Sequence, residues 1–514
     1  MKPSVELFKL IKSLSKSEKR FFKLSSSLQS GDKNYLKLFD FIEDLEVYDE
    51  ELVKEMFKKE KFIKHLPSEK NHLYRLILKS LRSFYSEQSI SSILKQEIKN
   101  VEILYMKALY KECDKFVVRA KQLAKETEKF YYWYELLSWE KKLLEEAYES
   151  GIFSKDLNDL MREEEEVISK LRNLAEYQVI YSRINLIFRS GGFTRTNEER
   201  EQVDAIANLP LIKEKNTALS VRASSMCYYI KGLCAATNRE FDASYSFFEK
   251  TRQILDSNEG IKTDSGQRYV LTLSYLLRCH IERNEFNQAE QLILDMRKLK
   301  ELKGFNSTDM EVRIFTSSYN LELRLLHTMG KFQQSVQLIT EIESKQRYFG
   351  EKINKEQEIL FTYNKAYSYF GLGEYKKALS YLNIVLNDNE TKLRRDIYAF
   401  ARLFNLVIHT EINSDDFIDY LIKSTNRYLG KHERAYKVEN SVLFHFRKLL
   451  KTYTNTDRIL IYERLRDELL EIMKDPNEQV VMEYFDIISW VNSKIYKIPF
   501  DQSVVSMLKE KIQA

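Results

Sequence analysis

The chain reads as an all-α protein, a right-handed α-solenoid of stacked helical hairpins behind an N-terminal helical module, and three observations lead there. An aromatic residue recurs at Phe241, Phe286, Phe332, Tyr375 and Phe417, in steps of 45, 46, 43 and 42 residues. A fixed beat of this length marks hairpins whose apolar faces only their neighbours can cover. In 514 residues there are 13 Gly and five Pro, too few for a sheet protein with many tight turns. No window sustains the period-2 alternation of a strand with hairpin signals at its ends.

The 43% apolar fraction suffices for a continuous core, and a solenoid core grows along one axis, so length does not set domain count. The 82 Lys and Arg against 77 Asp and Glu leave the chain nearly balanced, without the global charge of a nucleic-acid binder. Charges interrupt every apolar segment near the N-terminus, and no run reaches the roughly 18 to 20 residues of a membrane span. The expectation is a soluble, cytoplasmic protein. Cys113, Cys227, Cys234 and Cys279 form no C-x-x-C and read as reduced core thiols.

Residues 1–90 form the N-terminal module. Ser15 and Glu18 make a capping box ahead of Phe21, Phe22 and Leu24. Further helices are expected over Tyr35–Leu45, Glu51–Phe57 and Asn71–Phe84, with Pro67-Ser68 punctuating before the last. The polar stretch Ser86–Ser92 is the linker candidate. Residues 1–37 hold nine bases against three acids, and residues 38–53 hold seven acids and no base. The basic block suits nucleic acid or an acidic partner; it equally suits amphipathic helices whose lysines form the outer face. No short Gly-containing turn joins two helices here as a helix-turn-helix would require.

Residues 95–474 carry amphipathic helices separated by short polar turns, broken at Ser190-Gly191-Gly192. Residues 475–514 are expected to be C-terminal capping helices, with Asp475 as N-cap and Pro476 at the first helical position.

The clearest unit, YNKAYSYFGLGEYKKALSYLNIVL from Tyr363 to Leu386, resembles a tetratricopeptide repeat: Ala366 and Tyr369, Gly373 in the turn, Tyr375 opening the second helix, then Ala378, Leu382 and Val385. Small residues let the helices approach, Gly permits the tight turn, and Tyr375 fills the space between hairpins. Gly232, Phe241 and Phe248 match this frame, as do Leu277, Phe286 and Ala289, and Leu323, Gly330, Phe332 and Ser335. Phe417 opens a weaker fifth unit. The period exceeds the family's roughly 34 residues, so longer helices are expected.

The resemblance implies a groove lined by the first helix of each hairpin. Carried onto this chain, its candidate positions are Arg278, then Asn320, Arg324 and His327, then Tyr363 and Tyr367, then Asn405 and His409. Arg278 and Arg324 form a ladder beside an aromatic shelf, suited to an extended protein or peptide partner with an acidic group. No nucleotide loop, nucleophile elbow or metal-ligand spacing is present, so no enzyme, cofactor or metal site is expected. The acids Glu163–Glu166 read as a solvated face, and the aromatics Tyr131–Tyr134 as partly inward-facing. The expected role is a non-catalytic protein- or peptide-binding scaffold. The alternative is a ligand- or peptide-sensing regulator whose basic N-terminal module acts on nucleic acid or a partner protein, a layout that resembles the peptide-sensing regulators of bacteria.

Overall fold

Helices dominate because apolar residues recur at helical spacing along the whole chain, and the computed structural model shows no strand among the residues it describes, 5–27, 34–147, 156–191, 193–388, 394–412, 415–432 and 435–513. Lys2, Asp32, Lys33 and Gly192 lie outside them. Contacts separate two compact units, Met1–Met161 and Arg162–Ala514. The polar stretch 86–92 lies within the first unit, where 86–89 make the turn before a helix and 90–92 begin that helix.

The first unit opens with α1 (Glu6–Ser13), α2 (Lys16–Ser27), α3 (Asn34–Asp44), α4 (Glu50–Met56) and α5 (Leu66–Phe84). The start of α2 is the expected reciprocal cap: Ser15 N–H donates to Glu18 Oε2 at 2.6 Å and Glu18 N–H to Ser15 Oγ at 3.3 Å. Pro67 sits in the first turn of α5, where its missing N–H costs nothing. Leu7, Ile11, Phe22, Phe39, Ile42 and Ile77 form the core of these helices. Next come α6 (Ile90–Met106), α7 (Tyr110–Glu126) and α8 (Phe130–Ala147), with α7 packed on α6 and α8 on α7. In α8 Phe130 and Trp133 face inward while Tyr131 and Tyr134 are exposed.

Most of the long α9 (Leu157–Gly191) belongs to the second unit, followed by α10 (Asn197–Ala207), α11 (Pro210–Lys213) and α12 (Val221–Thr237). The hairpin stack continues through α13 (Phe241–Asp256), α14 (Glu259–Asp264), α15 (Gly266–Glu282), α16 (Phe286–Lys298), α17 (Thr308–Thr328), α18 (Phe332–Phe349), α19 (Lys355–Gly371) and α20 (Tyr375–Leu386). It closes with α21 (Arg395–Glu411), α22 (Asp415–Lys431), α23 (Lys437–Leu449), α24 (Asn455–Ile472), α25 (Ile487–Tyr496) and α26 (Phe500–Gln513). Successive helices pack on one another, and the first helices α15, α17, α19 and α21 also pack directly in sequence. The long period has two sources. The first helices run 17 to 21 residues. Short connectors, α14 and the 3-10 turns Leu299–Glu301 and Gly350–Lys352, add the rest.

One turn repeats through the stack. Arg239, Asn284, Gly330 and Gly373 each adopt positive φ, and the next residue donates its N–H to the carbonyl five residues back: Glu240 to Ala235, Glu285 to His280 and Lys331 to Leu326 at 2.8 Å, Glu374 to Tyr369 at 2.9 Å. This satisfies a carbonyl that the helix end leaves orphaned. The aromatic follows as the first residue of the next helix. The same turn occurs twice in the first unit, at Ala108 before Tyr110 and at Glu128 before Phe130. Phe417 departs from it, being the third residue of α22 and 47% exposed.

Close helix approach rests on two other glycines, one within a hairpin and one between hairpins. A Cβ at Gly232 would lie 2.8 Å from the Phe248 ring of the same hairpin, and one at Gly371 would overlap the Phe332 ring of the preceding hairpin. Gly371→Ala is therefore expected to lose about 1–3 kcal/mol of stability through overpacking. Gly260→Ala, with nothing near its would-be Cβ, should be neutral or better. Denaturant titration of both variants checks this.

Candidate ligand groove on the first helices

Residues eight before the turn aromatics occupy equivalent places on α15 and α17, so Arg278 and Arg324 emerge side by side. They meet a carboxylate. Arg278 Nη2 pairs with Glu483 Oε2; Arg324 Nη1 donates to the Glu483 carbonyl at 2.9 Å and Nη2 pairs with both Glu483 and Glu282. A third cation, Arg239, comes from the turn after α12, with Nη2 3.2 Å from Glu483 Oε1. The Glu483 side chain is 2% exposed. Burial alone would raise its carboxyl, but Arg324, then Arg278 and Arg239, outweigh burial and hold it down at about 2.

Glu483 belongs to the chain's own C-terminal segment, which lies against the first helices. The expected helix from Asp475 is broken there: residues Glu478–Glu483 form a 3-10 turn, and α25 starts at Ile487. Asp475 instead accepts from Asn477 N–H at 3.0 Å, while Asp486 caps α25 by accepting from Ser489 N–H at 2.9 Å. The break lets three consecutive side chains point into separate sockets. Tyr484 stacks on Phe400 at 4.2 Å and donates its hydroxyl to Asp396 Oδ2, which Arg394 also grips, Nη2 to Oδ2 at 2.7 Å. Burial would raise Asp396, yet Arg394 and the Tyr484 hydroxyl hold it at about 2. Phe485 packs among Phe404, Phe370, Tyr367 and Phe500.

Beside this segment remains a cavity of about 680 Å³. Arg278, Asn320, Arg324, His327, Tyr363 and Tyr367 all line it; Asn405 and His409 do not. Asn320 is buried and donates to Gln357 Oε1 at 3.1 Å. Tyr363 donates its hydroxyl to the Tyr484 carbonyl at 3.2 Å, and the Tyr367 hydroxyl accepts from Asp486 N–H at 3.3 Å. His327 lies 2.7 Å from Ser368 Oγ; burial, aided by Arg324, depresses its imidazole to about 3, so it is neutral at physiological pH. Asn405 is buried, and His409 packs on Phe417. The arginines thus hold the fold together as well as lining this cavity.

Sequence reasoning missed Arg239, Glu282, Glu483, Tyr484 and Phe485. Arg239 had a signal, its place two residues before a turn aromatic; the acid had none. A second tie closes the unit: Arg195, ahead of the first repeat hairpin, donates Nη1 to Glu439 Oε1 on α23 at 2.5 Å, with Glu478 Oε2 3.5 Å from Nη2.

No family model matches the chain, and no curated protein matches it. Among the described residues there is no cluster of His, Cys, Asp or Glu that could hold a metal, and no helix is long and apolar enough to cross a membrane. All four cysteines are buried as free thiols, and burial raises Cys113 to about 11 and Cys234 to about 12. Those thiols stay protonated at neutral pH, which makes them poor nucleophiles.

Glu483 and Asp396 ionise below their unfolded values, so their stabilisation is full above about pH 4.5 and is lost as pH falls toward 2. Urea unfolding at stepped pH should show that loss. Glu483→Gln should cost about 3–5 kcal/mol at pH 7, because it leaves Arg239 and Arg278 without a carboxylate and Arg324 with Glu282 alone, and should flatten the acid limb of the profile.

Proposed function

We propose that the chain is a non-catalytic binding scaffold, a TPR-like right-handed solenoid whose concave groove holds a protein or peptide segment bearing an acidic group. One observation carries this reading: arginines from three successive hairpins converge on one carboxylate of a segment laid in the groove. That segment is the chain's own, so it displays the chemistry the groove accepts, an acid followed by two aromatics. Guanidinium recognises the carboxylate by charge-assisted hydrogen bonds, and the aromatic sockets add desolvated contact area. An outside segment with the same features competes for the same sockets.

The regulator reading, in which the basic N-terminal module acts on nucleic acid, draws less support. Lys19 and Lys23 pair with Glu43, Lys23 also with Asp40, and Lys37 with Glu60. Lys12 donates to the Glu43 carbonyl at 2.6 Å. Bases interleaved with acids present a mixed surface, while phosphate binding calls for a face of one sign.

The test is a labelled peptide of residues 479–489 titrated into the full-length protein, followed by fluorescence anisotropy and hydrogen exchange. Expected are saturable binding that weakens with salt, lost protection over 483–496, and about ten-fold or weaker binding when the peptide's Glu483 is replaced by Gln. Equal affinity for the Glu and Gln peptides, or no binding, would rule the reading out.

A further inference from the structure

We propose that the cavity beside the C-terminal segment is a binding site for a small amphipathic carboxylate, taken up with that segment still in place; this stands apart from the peptide reading, which requires the segment to leave. The cavity, about 680 Å³, has the size of a small-molecule site. Around Glu483 its charged groups do not balance. Arg239, Arg278 and Arg324 line it against Glu483 and Glu282, three cations for two anions. Elsewhere on the wall Arg394 faces Asp396 and Glu356, Asp486 caps α25 and Lys511 adds a cation, so the shortage of anions is confined to the Glu483 corner.

The donors do not balance either. Arg239 Nε and Nη1 and Arg278 Nε are buried without a hydrogen-bond partner, and Arg239 Nη2 faces Glu483 Oε1 as an ion pair without a hydrogen bond. Buried donors left unpaired cost stability, and a carboxylate arriving here supplies both the missing acceptor and the missing charge. Met473, Met482 and Met507 from the C-terminal region line the same cavity. Thioether side chains repack around irregular apolar bodies, so this wall takes a hydrocarbon portion. The chemistry selects one negative charge on an apolar frame. A dianion would over-neutralise the site, and an uncharged lipid would leave the arginines unanswered.

The experiment is isothermal titration of the full-length protein with dodecanoate below its micelle concentration, with dodecanol as the uncharged match and dodecyltrimethylammonium as the cationic one. Expected is saturable one-site binding of dodecanoate that raises the melting temperature, with dodecanol about ten-fold weaker or worse and the cation not bound. Arg239→Gln should weaken dodecanoate about ten-fold or more. Met507→Trp, which leaves the Glu483 cluster alone and fills the cavity, should abolish binding while the protein stays folded by circular dichroism. Hydrogen exchange over 483–496 should stay as protected or become more so. The proposal is overturned if dodecanoate does not bind, if acid and alcohol bind equally, or if Met507→Trp binds undiminished. Loss of protection over 483–496 on binding overturns it too, since the acid would then be displacing the segment as a peptide would.

Discussion

A single buried carboxylate organises the second unit. Glu483 lies where three hairpins present cations to the same point, and among the described residues none of those cations has another carboxylate except Arg324, which shares Glu282. Like charges brought this close repel unless an anion sits between them. The hairpin register that stacks the helices therefore also creates a demand for negative charge, and the C-terminal segment meets it. The sockets for Tyr484 and Phe485 follow from that anchoring, because once residue 483 is fixed its two neighbours fall over Phe400 and among Phe404, Phe370 and Tyr367.

Local rules were legible in the sequence wherever the physics is local. The Ser15–Glu18 box, Pro67 in the first turn of α5 and the aromatics that open α13, α16, α18 and α20 depend on residues within a few positions of one another. The two equivalent turns in the first unit escaped notice for a definite reason. Their left-handed residues are Ala108 and Glu128, and Arg239 and Asn284 fill the same role later, so the position carries no glycine signature.

Long-range pairing was not legible. That Arg278 and Arg324 share a face follows from their offset to Phe286 and Phe332, but nothing near residue 483 says that it answers them from the far end of the chain. The break before α25 hides the same way: 480–495 reads as a continuous amphipathic helix, and only the three sockets explain why the backbone leaves the helix between Glu483 and Asp486. Tyr363, expected to face solvent, is buried with its hydroxyl on the Tyr484 carbonyl of that segment, and Asn320 is buried among Thr316, Gln357 and Asn364 of the first helices.

The tie between Arg195 and Glu439, 244 residues apart, changes how the molecule can be made. A solenoid held by neighbours alone can condense hairpin by hairpin as it leaves the ribosome. Here Arg195, Arg239, Arg278 and Arg324 emerge well before Glu439 and Glu483, and they wait as hydrated charges on a nascent chain. Completion falls to helices synthesised later, first α23 with Glu439 and then the segment with Glu483, which bury these cations. Translation thus leaves an interval in which these arginines are exposed to solvent before their own carboxylates arrive.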